Sequence, residues 1–354
     1  MQPYSDLSLA GKLQRLRQLA VAAIAQYDLQ DPVIVYRGFE TNLLYQVITA
    51  SGERFMLRLA SPGWRTFEDL LSEALWLDAL TREPAIAAPH IVPARSGEYV
   101  LPMSNPHVPH VWNASLMTWV PGRSLGHYLT RRNLEKMGAL FARLHQHGAS
   151  WTPPAGFTSR RFEHWLSRGE KNRIVVDRRS AAAPRPPSDR FVGGGAGADG
   201  VPVLPLPWRD LLERMHRHVE AAYAAIDRSD LRVIHCDLWH DNIRLHREVL
   251  RPLDFEDTVW GFRAHDIAMA MLDLLEDTDE DRYAALLLAF RHGYTACMSW
   301  PDDPIEPFQI GRLLWKINWV AGYQPQGLAR MVERHLPVFE HYERTGQVVR
   351  PPEG

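Results

Sequence analysis

The chain has 354 residues, 45% of them hydrophobic, which is enough for two lobes or one large domain with a substantial core. Its formal net charge is only −2, so the composition indicates neither a nucleic-acid partner nor a basic membrane anchor. Two cysteines are too few for a disulfide framework, and no apolar run approaches the ~20 residues of a membrane span. We therefore expect a cytoplasmic protein.

The N-terminal part of the chain alternates between helical and strand-like patterns. Residues 7–27 carry leucines and alanines at helical spacing, which predicts an amphipathic helix. Residues 33–60 contain three β-rich runs and predict an antiparallel meander. A helix is predicted over 66–82, and shorter strands near 98–102 and 115–120.

The C-terminal part is predicted to be mostly helical. Apolar spacing predicts helices over 131–147 and 208–227, and the chain after Asp266 has helical patterns to its end. Between the first two helices, residues 177–207 are dominated by Pro, Gly and Ala without periodicity, and we expect a flexible insertion. Its glycine run lacks a following G-K-[ST], so it is not a P-loop.

A polar motif in the middle of the chain indicates chemistry. His235, Asp237 and Asn242 form H-x-D-x-x-x-x-N, and Asp254-Phe255 follows twelve residues after Asn242. This layout is typical of phosphoryl transfer, in which one carboxylate accepts the proton of an attacking hydroxyl. An amide and a second carboxylate hold Mg²⁺ in such sites. Asp237 is the candidate base, and Asn242 and Asp254 are the candidate metal ligands.

This segment resembles the aminoglycoside phosphotransferase and choline kinase-like enzymes, small-molecule relatives of the protein kinases. The resemblance includes the downstream pattern D-F-x-D-x-x-x-G-x-x-x-x-D, formed by Asp254, Phe255, Asp257, Gly261 and Asp266. Two positions depart from the family, since Cys236 replaces its usual Gly and Trp239 a frequent His. By analogy, Asp266 is expected to bond the backbone of the catalytic loop.

The resemblance implies an α+β, bilobal, protein-kinase-like fold. Its N-terminal lobe would be an antiparallel β-sheet with one main helix, and its larger C-terminal lobe would be mostly helical. On this basis we expect a nucleotide-binding lobe with a leading helix at 1–117, a hinge at 118–122, and a catalytic and substrate-binding lobe at 123–354.

The resemblance also implies nucleotide contacts in the first lobe. Arg58 on the third strand takes the place of the family's lysine, which contacts the α/β-phosphates and pairs with a helix glutamate, here Glu73. Asn42 is expected near phosphate oxygens, and the backbone near Thr118 and Val120 near adenine. The alternatives are that Arg58 and Glu73 are ordinary exposed residues and that the segment around Asn42 is a plain turn.

The sequence therefore predicts an ATP- and Mg²⁺-dependent phosphotransferase that acts on a hydroxyl of a small molecule. Aminoglycoside-like compounds and amino alcohols are candidate acceptors, with no nucleic-acid or membrane partner. One alternative phosphorylates protein serine or threonine, and another is a nucleotide-binding regulator without catalysis. Magnesium-dependent turnover separates the enzymes from the regulator.

The acceptor itself is open. Asp273 and Glu276 would suit a cationic acceptor. Trp315 and Trp319, four residues apart, would suit an apolar or quaternary-ammonium pocket, although core packing is the more common reason for such a pair. A zinc site at His235, Cys236 and His240 is disfavoured because no second cysteine lies nearby.

Overall fold

A computed structural model describes residues 3–158, 160–166, 169–174 and 204–352 of the chain. The chain folds into two compact units. Unit 1 comprises Met1–Arg123, Thr152–Thr158 and Arg244–Thr258, and unit 2 comprises Ser124–Trp151, Ser159–Ile243 and Val259–Gly354. The predicted insertion at 177–207 lies outside the described residues as far as residue 203. The hinge predicted at 118–122 stays a prediction.

The described residues contain both helices and strands. The α-helices are α1 Leu9–Ile24, α2 Phe67–Leu80, α3 Arg131–Ser150, α4 Leu206–Ala225, α5 Arg263–Glu276, α6 Glu280–Thr295, α7 Glu306–Tyr323 and α8 Leu328–Thr345. The strands are β1 Val33–Phe39, β2 Asn42–Ile48, β3 Arg54–Ala60, β4 Ile91–Val92, β5 Leu101–Asn105, β6 Val108–Thr118, β7 Arg123–Ser124, β8 Arg232–Ile234, β9 Ile243–His246, β10 Val249–Pro252 and β11 Val259–Gly261.

Unit 1 is built on an antiparallel sheet in the order β1-β2-β3-β6-β4, with β5 paired to β6. The predicted meander over 33–60 is confirmed as β1 to β3. On β3, Leu57 and Leu59 enter the core that α1 covers, whereas Arg58 points to the opposite face. All three are buried, so the strand is covered on both faces.

The helix α2 begins at a sequence signal that fixes its first turn. Thr66 caps the helix by accepting from the Asp69 amide at 3.1 Å, and the Asp69 carboxylate accepts from the Thr66 amide at 3.0 Å. This capping box satisfies two backbone donors that a helix start leaves without partners. It sets the register that turns Glu73 inward, where it is buried.

Unit 2 is mainly helical, and the predicted helices over 131–147 and 208–227 are confirmed as α3 and α4. A short antiparallel pair, β8 with β11, leads into the H-x-D segment. In the described part of the chain, none of the helices combines the length and apolar composition that a bilayer crossing needs. The α+β class is confirmed.

Candidate active site

The loop that carries Asp237 follows β8 in unit 2 and is held through its backbone. Cys236 has a φ of 69°, in the left-handed region that glycine adopts most readily. Its amide donates to the Asp266 carboxylate at 2.7 Å, as expected from the family resemblance. The peptide just before the candidate base therefore has a fixed position.

Asp266 belongs to a buried chain of hydrogen bonds. Its second oxygen lies 2.9 Å from His145 Nε2, and His145 Nδ1 lies 2.9 Å from the Tyr294 hydroxyl. Burial alone would raise the pKa of Asp266, but the bonds from His145 and the Cys236 amide lower it below its usual value. Burial lowers the pKa of His145, so its neutral ring donates to Asp266 and accepts from Tyr294.

The Asp237 carboxylate has a donor on each oxygen. Arg312 Nη2 on α7 donates to Oδ1 at 2.8 Å, and Asn242 Nδ2 donates to Oδ2 at 3.2 Å and to the Asp237 carbonyl at 2.9 Å. The Asp237 side chain is 22% exposed, so it remains accessible to a small molecule. Sequence reasoning missed Arg312, whose only sequence signal is its place as a single charged residue within the run IGRLLW.

The two polar residues after Trp239 stabilise the loop by side-chain bonds. His240 Nε2 lies 2.8 Å from an Asp277 oxygen, and the Ser124 hydroxyl donates to Asp241. A Cβ at Gly126 would lie 2.3 Å from the Asp241 carboxylate, so a side chain there would displace this carboxylate. These contacts favour a role for both residues in shaping the loop.

In unit 1, Arg58 is buried rather than exposed. It makes a two-point bond to Glu73, with Nη1 at 3.1 Å from Oε1 and Nη2 on the other oxygen. Burial raises the pKa of Glu73, and the charge of Arg58 offsets only part of this effect. Burial opposes the charge of Arg58, but Glu73 and Glu256 raise its pKa. The alternative of two ordinary exposed residues is therefore wrong.

Glu256 is a buried carboxylate that sequence reasoning missed. It accepts from Asn42 Nδ2 at 2.7 Å and from Trp64 Nε1 at 2.8 Å, and it lies 3.5 Å from Arg58 Nη1. The Asn42 amide nitrogen is thus bonded to Glu256. The only sequence signal for Glu256 was its place as an acidic residue inside the D-F-E-D segment.

Asp254 opens that segment in unit 1. Its φ of 58° and ψ of 64° put it in the left-handed region, directly before Phe255. The Phe255 ring packs edge-on against Trp76 of α2 at 5.4 Å, and Arg65 pairs with Asp257. The backbone that follows this strained residue is therefore anchored at two positions.

The backbone around the predicted adenine contacts is only partly available. Thr118 ends β6, and its amide donates to the His90 carbonyl at 2.8 Å. Val120 follows in the segment without regular structure before β7. The Thr118 N–H is thus already engaged within unit 1.

The acidic residues considered for the acceptor are paired within unit 2. Lys316 Nζ lies 2.8 Å from Asp273 and 2.7 Å from Glu276. Trp315 Nε1 donates to Glu170 at 3.1 Å. The two carboxylates that would suit a cationic acceptor already have an ammonium partner from the chain.

A comparison with known protein families shows to which family the chain belongs. The model of the phosphotransferase enzyme family, APH, matches residues 35–301. The chain belongs to this family. The prediction of a phosphotransferase is confirmed by this match. A search of curated proteins found no significant match.

Solved structures share the fold of this family member. A microcompartment-associated aminopropanol kinase is 20% identical with a TM-score of 0.72, covering 93% of this chain and 98% of its own. Amicoumacin kinase hAmiN, solved with AMP-PNP, Ca²⁺ and Ami, is 15% identical with a TM-score of 0.73, covering 95% of both chains. APH(2")-IIia, solved with GDP and kanamycin, is 15% identical with a TM-score of 0.54, covering 93% and 99%. The predicted kinase-like fold is confirmed.

Proposed function

We propose that this phosphotransferase moves the γ-phosphoryl group of ATP to a hydroxyl of a small molecule and depends on Mg²⁺. The observation that carries the proposal is the Asp237 carboxylate, partly exposed, with one donor on each oxygen. Such a group has a fixed orientation, and a carboxylate can accept the proton of a hydroxyl.

Asp237 is the proposed general base. It would accept the proton of the acceptor hydroxyl and orient that oxygen for in-line attack. Because phosphoryl transfer is largely dissociative, most of the acceleration comes from positioning and charge stabilisation. The Asp266 bond to the Cys236 amide supports this role, since it fixes the peptide that precedes the base.

Asn242 and Asp254 are the proposed Mg²⁺ ligands. The Asn242 amide nitrogen is engaged by Asp237, which leaves its amide oxygen as the ligand atom. Amide and carboxylate oxygens are hard donors that suit Mg²⁺, which commonly takes one or two protein carboxylates besides phosphate oxygens and water. When bound, the ion neutralises charge on the phosphates. The donor set therefore fits the ion.

Arg58 is the proposed phosphate contact, and Glu73 holds it in place. The Arg58 Nε donor has no hydrogen-bond partner among the described residues, so one donor is left for a ligand. Asn42 is proposed to lie beside the phosphates while bonded to Glu256. Near adenine, we propose the backbone of Val120 as the main contact, because the Thr118 amide is engaged.

The test is transfer to a mixed acceptor panel with Mg²⁺ and either ATP or GTP. The panel contains aminoglycosides, macrolides, choline, amino alcohols, homoserine, sugars and a generic protein, and product mass is measured. We expect one small molecule to gain one phosphoryl group with the wild type and with Asp279→Asn, a matched surface control, but not with Asp237→Asn. Transfer to the protein alone, or equal product from Asp237→Asn, would contradict the proposal.

A further inference from the structure

Arg312 is held in a defined orientation within unit 2. Its guanidinium lies over the Trp315 ring at 4.5 Å from the centroid, three residues along α7. Trp315 is itself fixed, because its indole nitrogen donates to Glu170 at 3.1 Å. The Arg312 side chain is 17% exposed, so little of it is free to move in solvent. Stacking on an aromatic ring lowers the entropy that a long side chain loses when it makes a directional bond.

This oriented guanidinium reaches the proposed base. Arg312 Nη2 donates to Asp237 Oδ1 at 2.8 Å, while Asn242 donates to Oδ2 at 3.2 Å. The two donors come from different elements, one from α7 and one from the loop that carries the base. Together the two bonds restrict both side-chain torsions of Asp237, χ1 and χ2, more than either bond does alone.

The backbone of the loop does not depend on Arg312. The Cys236 amide is held by Asp266, and the Asp237 amide donates to His235 Nδ1 at 3.3 Å. The loss of Arg312 is therefore expected to release the Asp237 carboxylate without displacing the loop. The bond between a guanidinium and a carboxylate is charge-assisted, so its orienting effect is stronger than that of a neutral donor.

We propose that Arg312 is a positioning residue that acts through Asp237, a role that rests on the proposed function. It orients the carboxylate so that one oxygen faces the acceptor hydroxyl. A misplacement of the base on the order of 1 Å costs about 100-fold in rate, which sets the expected size of the effect.

The experiment compares Arg312→Gln, Arg312→Lys and Arg312→Ala with the wild type and with the control Arg214→Gln. Arg214 lies on α4 and pairs with Glu343 of α8. We expect Arg312→Gln to lower kcat about 100-fold while the KM values change little, because orientation rather than binding is lost. Arg312→Lys should retain more of the rate, and added guanidinium should restore part of it to Arg312→Ala. Thermal unfolding of all variants checks that they are folded.

The double variant separates an action through the base from an independent one. In the Asp237→Asn background, Arg312→Gln should change the residual rate less than twofold, since residues that act as a unit are not additive. A full multiplicative loss there, or a raised acceptor KM at unchanged kcat, would overturn the proposal. Wild-type transfer with an unaffected Arg312→Gln would sink only this inference, whereas no wild-type transfer would sink the proposed function itself.

Discussion

Individual residues of the candidate site depart from simple sequence rules where chemistry requires it. Cys236 adopts a left-handed φ of 69° directly before the base, and Asp254 one of 58° directly before Phe255. Strained backbone at such positions is maintained only when the surroundings fix it, here the Asp266 bond and the packing of Phe255. The missing family glycine at 236 is thus tolerated because Asp266 holds the peptide.

A buried histidine beside that network makes stability depend on pH. His265 stacks on Phe162 at 3.8 Å, and burial lowers its pKa to about 3, while Asp266 raises it and Arg312 lowers it. Below pH 6.5 the His265 ring becomes protonated in the unfolded chain but stays neutral in the folded protein. The contribution of the neutral ring is therefore complete above that pH and is lost as the pH falls.

We expect His265→Phe to flatten this dependence. Between pH 7.5 and 5.5 the free energy of unfolding should fall by about 1.4 kcal/mol less in the variant than in the wild type. Urea unfolding at the two pH values measures the difference, with the exposed His127→Phe as control. Parallel pH dependence in the His265→Phe variant and the wild type would contradict the lowered pKa, because it would show that the ring takes up a proton over the same pH range in the folded and unfolded states.

At the scale of elements, glycines let two helices of unit 2 touch along their backbones. A Cβ at Gly138 of α3 would lie 1.9 Å from the Phe290 carbonyl oxygen of α6. One at Gly293 of α6 would lie 1.8 Å from the Glu135 carbonyl oxygen of α3. Both distances are far below van der Waals contact, so the two helices can pack this closely only with glycine at both positions. Since α3 also carries His145, their separation helps to fix the support of the catalytic loop.

Gly138→Ala should lower the free energy of unfolding by about 3 kcal/mol, although alanine is the better helix former. The matched control is Gly322→Ala in α7, where the nearest atom is the end of the Arg173 side chain. Denaturant unfolding compares the two variants. If Gly138→Ala proved as stable as the control, the close approach of α3 and α6 would be wrong.

At the scale of the whole molecule, the sequence predicted those features that depend on hydrophobic periodicity and on local signals. The meander, the helices and the α+β class were predictable because apolar spacing, turns and the Thr66 capping box are encoded locally. Periodicity alone did not show which charged side chains are buried, and the pairing of Arg58 with Glu73 was expected only from the family resemblance. Arg58 lies on a strand whose other face is also buried, so alternation gave no sign of its burial.

Contacts between residues far apart in the chain were also not predictable from the sequence. Glu256 and Arg312 act through contacts more than 70 positions away along the chain, with Asn42 and Asp237 respectively. No periodicity relates such pairs, and single charged residues among apolar ones have many explanations. The role of Asp273 and Glu276 was left open by the sequence, which gave no sign that both carboxylates pair with Lys316.

The most direct test of the account is to separate binding from transfer with two isosteric variants. Mg·ATP affinity is measured by calorimetry, and transfer to the acceptor found in the panel is measured by product mass. Asp237→Asn should bind Mg·ATP within about twofold of the wild type and lose transfer by at least 100-fold, as expected for a general base. Asp254→Asn should weaken Mg²⁺-dependent nucleotide binding itself. Full transfer by Asp237→Asn, or unchanged Mg·ATP binding by Asp254→Asn, would contradict the roles assigned to these two carboxylates.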